Sequence, residues 1–334
     1  MDRIRVGVVG LGWVSQVVHL PILLKLPEAQ LVAVCDRDRS KAKLVAEKFG
    51  IERVYSDVNQ MLETEDLNAA IVCTSTDAHR EVATTCMRAG KDVLVEKPIA
   101  RTHAEAADMA AVARETKRKL MVGMNHRFRP DSMILKGFIE GEELGKIFYT
   151  RAGWLRKRST AGAWGVQREK SGGGAFIDLG IAILDMALWM TGFPDIRRVS
   201  ATQFYHRTKK VEDTSIVALT FKNGSRMHIE VSWSLAVDED SYFYHVFGTD
   251  GSASVNPFRI SKDLNGNVVN LTPTKIEHPH NMFKRSYENE LRHFLGAVRN
   301  LHPVISTADE AVQRMRIVEA VYKSARLGKD IVLS

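Results

Sequence analysis

The sequence predicts an α/β domain with a doubly wound parallel sheet, followed by an α+β domain with a large open, mainly antiparallel sheet. Three observations predict it. Short apolar runs of strand length alternate with helix-period segments from Ile4 to about residue 122, as in a parallel sheet with crossover helices. The first of these runs ends in a glycine turn. Beyond residue 123 the pattern changes to longer strands of period two joined by tight turns. The expected domains are therefore 1–122 and 123–334.

At 334 residues the chain is long enough for two cores, and 45% hydrophobic with 26% charged residues is ordinary for a globular protein. No uninterrupted apolar stretch approaches the ~20 residues of a membrane span, so no membrane partner is expected. The chain enters a strand at Ile4 without a signal-like leader, and a cytoplasmic protein is expected. Cys35, Cys73 and Cys86 are sparse and odd in number, and read as buried thiols rather than disulfides or a metal cluster. The formal charge of +7 permits nucleic-acid binding, but Lys117-Arg118-Lys119 and Arg156-Lys157-Arg158 are short runs scattered among acids. They read as solvated surface, and no nucleic-acid partner is expected.

The first domain opens with Ile4-Arg5-Val6-Gly7-Val8-Val9, a β-branched run that ends in Gly10-Leu11-Gly12. Val14, Val17 and Val18 recur at helical spacing, and Pro21 is expected to end or kink that helix early. Strand, glycine turn and helix start, in this order, bring a pyrophosphate against free backbone amides. The domain therefore reads as a Rossmann domain in which Gly10, Gly12, Trp13 and Val14 contact a dinucleotide. Ser15, at the third fingerprint position, is small enough for close helix–strand packing. The second strand, Leu31-Val32-Ala33-Val34-Cys35, ends in Asp36, 21 residues after Ser15. A carboxylate there accepts from the ribose hydroxyls of NAD and repels a 2′-phosphate. The bland reading of Asp36 is a cap or turn acid. Arg37 and Arg39 follow and tolerate a 2′-phosphate, so NAD is the expected cofactor and NADP the alternative.

The alternation continues with a strand over 69–73, a helix over 77–88, strands over 93–95 and ending at 121–122, and a helix opened by a Thr102/Glu105 capping box. Ligands of such sheets lie at the carboxyl ends of strands, where Thr74-Ser75-Thr76, Glu96-Lys97-Pro98 and Asn125-His126-Arg127-Phe128 fall. In the second half Met227, Ile229, Val231 and Trp233 alternate with Arg226, His228, Glu230 and Ser232, giving one apolar and one polar face. Asn223-Gly224 turns this strand back onto 216–221, and Asp250-Gly251 marks a hairpin after 242–247. Helices return over 287–298 and 307–327, the latter with a Thr307/Glu310 capping box and a closing Gly328.

One run is more specific than any of these. Gly172-Gly173-Gly174-Ala175-Phe176-Ile177-Asp178-Leu179-Gly180-Ile181-Ala182-Ile183-Leu184-Asp185, read with Glu96-Lys97-Pro98 and the opening glycine turn, resembles the Gfo/Idh/MocA family of nicotinamide-dependent sugar oxidoreductases. The resemblance covers essentially the whole chain. It implies hydride transfer between NAD and a carbinol of a sugar, polyol or cyclitol, with Lys97 as acid/base and Asp178 beside it. A lysine amine suits this role where its surroundings disfavour the ammonium. The family carries a histidine where this chain has Ala182, and a methyl cannot move a proton. His126 is the nearest substitute by motif position.

The resemblance also implies cofactor contacts from Arg37, Thr74, Ser75, His79, Glu96, Lys97 and Asn125. Substrate contacts are implied for Lys97, Arg127, Trp164, Asp178 and Asp185, with Trp154 and Arg156 near the specificity-determining positions. Successive glycines are expected to let the backbone approach the nicotinamide, and Asp178, Ala182 and Asp185 to share one helix face by their spacing. The sheet face left open is expected to be covered in a homo-dimer or homo-tetramer. A cofactor-holding sensor without turnover, or NAD-assisted epimerisation or elimination, are the competing readings that Ala182 and the versatility of the fold admit.

Overall fold

The computed structural model describes residues 3–157, 166–274 and 279–333; Trp164 lies outside the described residues. The chain forms two compact units: residues 1–125 with 283–313, and residues 126–282 with 314–334.

In the first unit six strands, β1 (Ile4–Val9), β2 (Ala29–Cys35), β3 (Arg53–Tyr55), β4 (Ala69–Val72), β5 (Asp92–Glu96) and β6 (Leu120–Gly123), form a parallel sheet of order β3-β2-β1-β4-β5-β6. Every residue of β4 is buried, the pattern of a strand covered on both faces by helices. The crossovers are α1 (Leu20–Leu23), α2 (Arg39–Phe49), α3 (Val58–Thr64), α4 (Thr76–Arg88) and α5 (His103–Thr116). Chain order reverses between β1 and β4, so the ends of these two strands form the crevice where ligands of such sheets bind.

Pro21 does not cut the first crossover short. The chain winds through a π-helical segment, Ser15–His19, in which Leu20 N–H reaches back to Ser15, and Pro21 then sits in the first turn of α1.

Among its described residues the second unit holds nine strands: β7 (Ile147–Lys157), β8 (Ile196–Phe204), β9 (Thr214–Phe221), β10 (Arg226–Leu235), β11 (Ser241–Gly248), β12 (Gly251–Val255), β13 (Arg259–Leu264), β14 (Asn267–Asn270) and β15 (Ile331–Val332). Their order is β14-β13-β12-β11-β7-β10-β9-β8-β15, with β7 and β10 parallel and the other pairs antiparallel. Met227, Ile229 and Val231 of β10 are fully buried, whereas Arg226 and His228 are exposed, as the alternation predicts; it breaks at Ser232, which is buried and donates to Asp213 O at 3.1 Å. The helices here are α6 (Pro130–Glu140), α7 (Arg168–Ser171) and α8 (Ile181–Met190). The stretch Arg168–Met190 is apolar enough for a bilayer by length and composition, but 89% of its most apolar window is buried in the protein.

The last two helices are α9 (Pro279–Val298) and α10 (Ala308–Leu327). Contiguous domains do not describe their place, because 283–313 packs with the first unit. The reason is visible in the backbone: Val122 N–H donates to Ser306 O at 3.0 Å, and Met121 bridges Thr307 beside β6. The Thr307/Glu310 capping box forms reciprocally, with Glu310 N–H on Thr307 Oγ1 at 3.2 Å and Thr307 N–H on Glu310 Oε2 at 2.9 Å. The Thr102 cap of α5 also forms, but the Glu105 carboxylate turns to Arg101 instead of closing the box.

A buried ion cluster anchors α8. Asp185 accepts from Arg127 Nε at 2.8 Å and Nη2 at 2.6 Å, and from Arg314 Nη1 at 2.6 Å, with all three side chains essentially unexposed. Burial alone would raise the Asp185 carboxyl, but Arg127 and Arg314 hold it below the usual carboxylate range. Its contribution to stability is thus complete above its unfolded value and is lost as pH falls through the lower folded value. Asp185→Asn is expected to destabilise the protein by about 3–5 kcal/mol, because it leaves two buried guanidiniums without their carboxylate. Urea denaturation at neutral pH measures this loss.

Candidate active site

In the first unit the glycine turn is set by backbone contacts. Gly10 has φ +90°, and a Cβ there would lie 2.5 Å from the Thr74 nitrogen, so a side chain is excluded both by conformation and by β4's neighbouring loop. Gly10 N–H donates to Cys35 O at 2.8 Å, and Ser15 Oγ donates to Gly10 O. Serine at the third fingerprint position therefore closes the turn with its hydroxyl besides being small. Gly12 faces open space, with nothing within 4 Å of where a Cβ would stand. The helix begins at Trp13, which is 66% exposed, and Val14 follows.

Asp36, buried at the end of β2, ties this turn down. Its Oδ2 accepts from Leu11 N–H at 2.8 Å and pairs with Lys41 Nζ at 2.7 Å; its Oδ1 accepts from Asp38 N–H at 2.9 Å. A carboxylate has about four lone-pair sites, so these donors leave one for a ribose hydroxyl, and the half-exposed Lys41 is free to yield another. Arg37 is exposed. An open glycine turn, a helix start and a buried acid at the β2 end fit a dinucleotide.

At the ends of β4 and β5, His79 is buried between two carbonyls, Pro98 O at 2.9 Å from Nδ1 and Thr74 O at 3.1 Å from Nε2. Burial holds its imidazole below the ordinary value despite these acceptors. His79 thus ties the Thr74-Ser75 loop to the Lys97-Pro98 loop, whose peptide bond is cis. Glu96 is buried, with Oε2 accepting from Lys97 N–H at 3.1 Å and Oε1 2.7 Å from His19 Nε2. Lys97 is half-buried. Asn125 donates Nδ2–H to Ser286 Oγ of α9 at 3.0 Å, which orients its amide. His19 escaped sequence reasoning; the available signal was a histidine among Val17, Val18 and Leu20 just after the glycine turn.

In the second unit the glycine run serves a different contact from the one expected. Cβ atoms at Gly173 and Gly174 would collide with the Tyr322 hydroxyl and the Glu212 backbone, so the glycines admit those neighbours. Glu212 clamps the run: Oε2 accepts from Gly174 N–H at 3.0 Å, Oε1 from Phe176 N–H at 2.9 Å and from Tyr322 O–H at 2.8 Å, and its carbonyl from Ala175 N–H at 2.9 Å. Burial pushes the Glu212 carboxyl up. Neither Glu212 nor Tyr322 carries a sequence signal of this role.

The run continues as a π-helical segment, Phe176–Gly180, before α8. Asp178 falls inside this segment, where the winding is wider than the α-helical spacing on which a shared face with Ala182 and Asp185 is expected. Asp178 is half-buried, Ala182 buried, and Asp185 fully engaged with Arg127 and Arg314. Arg127 and Asp185, expected as substrate contacts, satisfy one another inside the second unit. His126 is buried in an aromatic cluster, with Nδ1 2.9 Å from Tyr242 Oη and its ring 5.4 Å from Trp154. Tyr242 Oη also lies 3.0 Å from Met186 Sδ of α8, one turn beyond Ala182, and burial pushes its phenol well up. Arg156 pairs with Asp240 at 3.1 Å.

Family comparison agrees with both units. Residues 4–124 match the oxidoreductase family's NAD-binding Rossmann fold, and residues 136–333 match its C-terminal alpha/beta domain. The chain belongs to the Gfo/Idh/MocA oxidoreductase family. It is accordingly an NAD-dependent oxidoreductase. Among curated relatives, D-glucoside 3-dehydrogenase of Escherichia coli (strain K12) is 32% identical over 349 residues, covering 99% of this chain and 97% of the relative. Myo-inositol 2-dehydrogenase of Thermotoga maritima is 27% identical over 344 residues, with 98% of each covered. GenD2 from gentamicin A biosynthesis, solved in complex with NAD, superposes with TM-score 0.86 at 26% identity over 100% of this chain and 97% of that one. Levoglucosan dehydrogenase, solved with NADH, shares the fold with TM-score 0.91 at 21% identity over the full length of both.

Asp36→Ala is expected to weaken NAD binding at least tenfold, since it removes the ribose acceptor and also frees the Leu11 amide. Calorimetric titration with NAD and with NADP checks this, and the ratio of the two dissociation constants should shift toward NADP.

Proposed function

We propose that the protein oxidises a secondary alcohol of a sugar or glycoside, passing hydride to NAD while Lys97 takes the hydroxyl proton. The observation that carries this reading is Lys97 at the carboxyl end of β5, its backbone held by buried Glu96, in a chain similar over its whole length to D-glucoside 3-dehydrogenase. NAD supplies the hydride acceptor. The chain's own work is to hold the ribose through Asp36, to offer first-turn amides after Gly12 to the pyrophosphate, and to remove one proton at Lys97 Nζ. Asp178 supplies a polar group for substrate hydroxyls. Arg127 and Asp185 act through each other, fixing α8 and the segment after Asn125. Positioning and proton transfer each lower the barrier, and a general acid–base group is worth typically ~100- to 10,000-fold, so turnover survives the alanine at 182.

The same reading extends to assembly as a homo-oligomer. The outer face of the second sheet carries a stacked Tyr149–Phe247 pair, Phe243 under Arg151, and Ile216 at 49% exposure. Aromatic side chains in such a row support burial against a second copy. Light scattering at micromolar concentration should find no species of monomer mass.

Lys97→Met is expected to lower kcat by roughly 100-fold or more on a responsive glucoside or polyol while leaving NAD affinity within about threefold, because the stem is kept and only the proton carrier lost. Equal rates for parent and variant would remove Lys97 from the mechanism. Absence of turnover in the parent across a panel of glucosides, polyols and cyclitols, with NAD still bound, would favour a cofactor-holding sensor.

A further inference from the structure

One buried titratable group in the first unit, His19, has no part in the chemistry so far. His19 ends the π-helical segment that follows the glycine turn and is 1% exposed. Its Nε2 lies 2.7 Å from Glu96 Oε1, while Glu96 Oε2 accepts the Lys97 amide at 3.1 Å. One carboxylate thus joins His19 to the backbone of Lys97, each through its own oxygen.

We infer that His19 is a positioning residue for Lys97, holding the Glu96 carboxylate in the rotamer that fixes the Lys97 backbone. The inference rests on Lys97 being the proton-transfer group. The geometry requires a donor at Nε2, because a carboxylate with no partner there turns toward any other donor or toward water. It also favours a cation, since an unpaired buried carboxylate is costly while a hydrogen-bonded ion pair is tolerated. The groups facing the ring are Cys73 just beyond β4, Glu96 of β5 with Lys97 next to it, and Tyr287 of α9, whose ring meets it edge-on at 5.8 Å. Nδ1 makes no hydrogen bond of ordinary geometry among the described residues. Burial alone would lower the imidazole, but Cys73 and Glu96 raise it well above its ordinary value. Burial would likewise raise Glu96, but the His19 hydrogen bond and charge, with Lys97, bring it below.

The sign of the pH dependence follows. A histidine raised in the folded state adds stability that is complete below its unfolded value and is lost as pH rises through the folded value. Above that pH the hold on Glu96 loosens. A glutamine at 19 carries a donor at the place of Nε2 and does not titrate; a leucine carries none.

The test uses the full chain saturated with NAD. Amide hydrogen exchange at Lys97 reads the positioning without any substrate, and exchange in β1 serves as the control for folding. His19→Leu should speed exchange at Lys97 at least tenfold while β1 stays protected, and His19→Gln should restore protection. In the parent the Lys97 amide should lose protection on the alkaline side, and in His19→Gln that pH dependence should vanish. Methyl β-D-glucoside turnover then adds a kcat loss of 10- to 100-fold for His19→Leu, with KM within about threefold and rescue by His19→Gln.

Unchanged Lys97 protection in His19→Leu would overturn the inference, as would identical pH profiles for parent and His19→Gln. Should His19→Leu fail to fold, the profile of His19→Gln alone decides. Lys97→Met separates the two readings. If it keeps the parent's turnover while exchange behaves as expected, Lys97 is held but is not the proton carrier. If it is inactive and exchange does not respond to His19, the chemistry stands and the positioning role falls.

Discussion

The second unit is organised around one carboxylate. Asp185 accepts three hydrogen bonds from two guanidiniums that come from distant parts of the chain, the segment after Asn125 and the last long helix. In the low dielectric of a core none of these groups is tolerable alone, so each element is obliged to find the others. This fixes α8, which follows the glycine run and its π-helical segment in the chain. A packed hydrophobic contact of similar area would leave more freedom, because it lacks direction.

The same device recurs at a smaller scale. Glu212 holds Gly174 and Phe176 through its two oxygens, Asp36 holds the glycine turn through Leu11, and Glu96 holds the Lys97 amide. Each is a buried acid whose acceptors are matched to backbone donors of a loop. Backbone amides that lie outside helices and sheets must find acceptors or stay in water. Supplying those acceptors from side chains lets irregular segments be both buried and rigid, which is what residues meant to touch a cofactor or substrate require.

Alanine at 182 is read differently once these contacts are known. The alanine packs in a buried helix whose neighbouring turn bears Met186 against Tyr242, and Tyr242 in turn meets His126. With alanine at 182 this helix is packed along its buried length.

The sequence by itself determined the two-unit plan, the parallel order of the first sheet's βα units, the alternation of β10 and the capping box of α10. These are legible because they rest on local periodicity and on pairs three or four residues apart. It also marked Gly10, Gly12, Asp36 and Lys97, which lie just beyond the ends of β1, β2 and β5. Only the tertiary structure decided that residues 283–313 pack with the first unit, that Gly173 and Gly174 make room for Tyr322 and Glu212, and that Arg127 and Asp185 satisfy each other. It alone joined His19 to Glu96 across 77 residues of chain. The physical reason is common to all of them: a buried polar group must find its partner wherever the fold brings one, and nothing in local sequence spacing records where that will be.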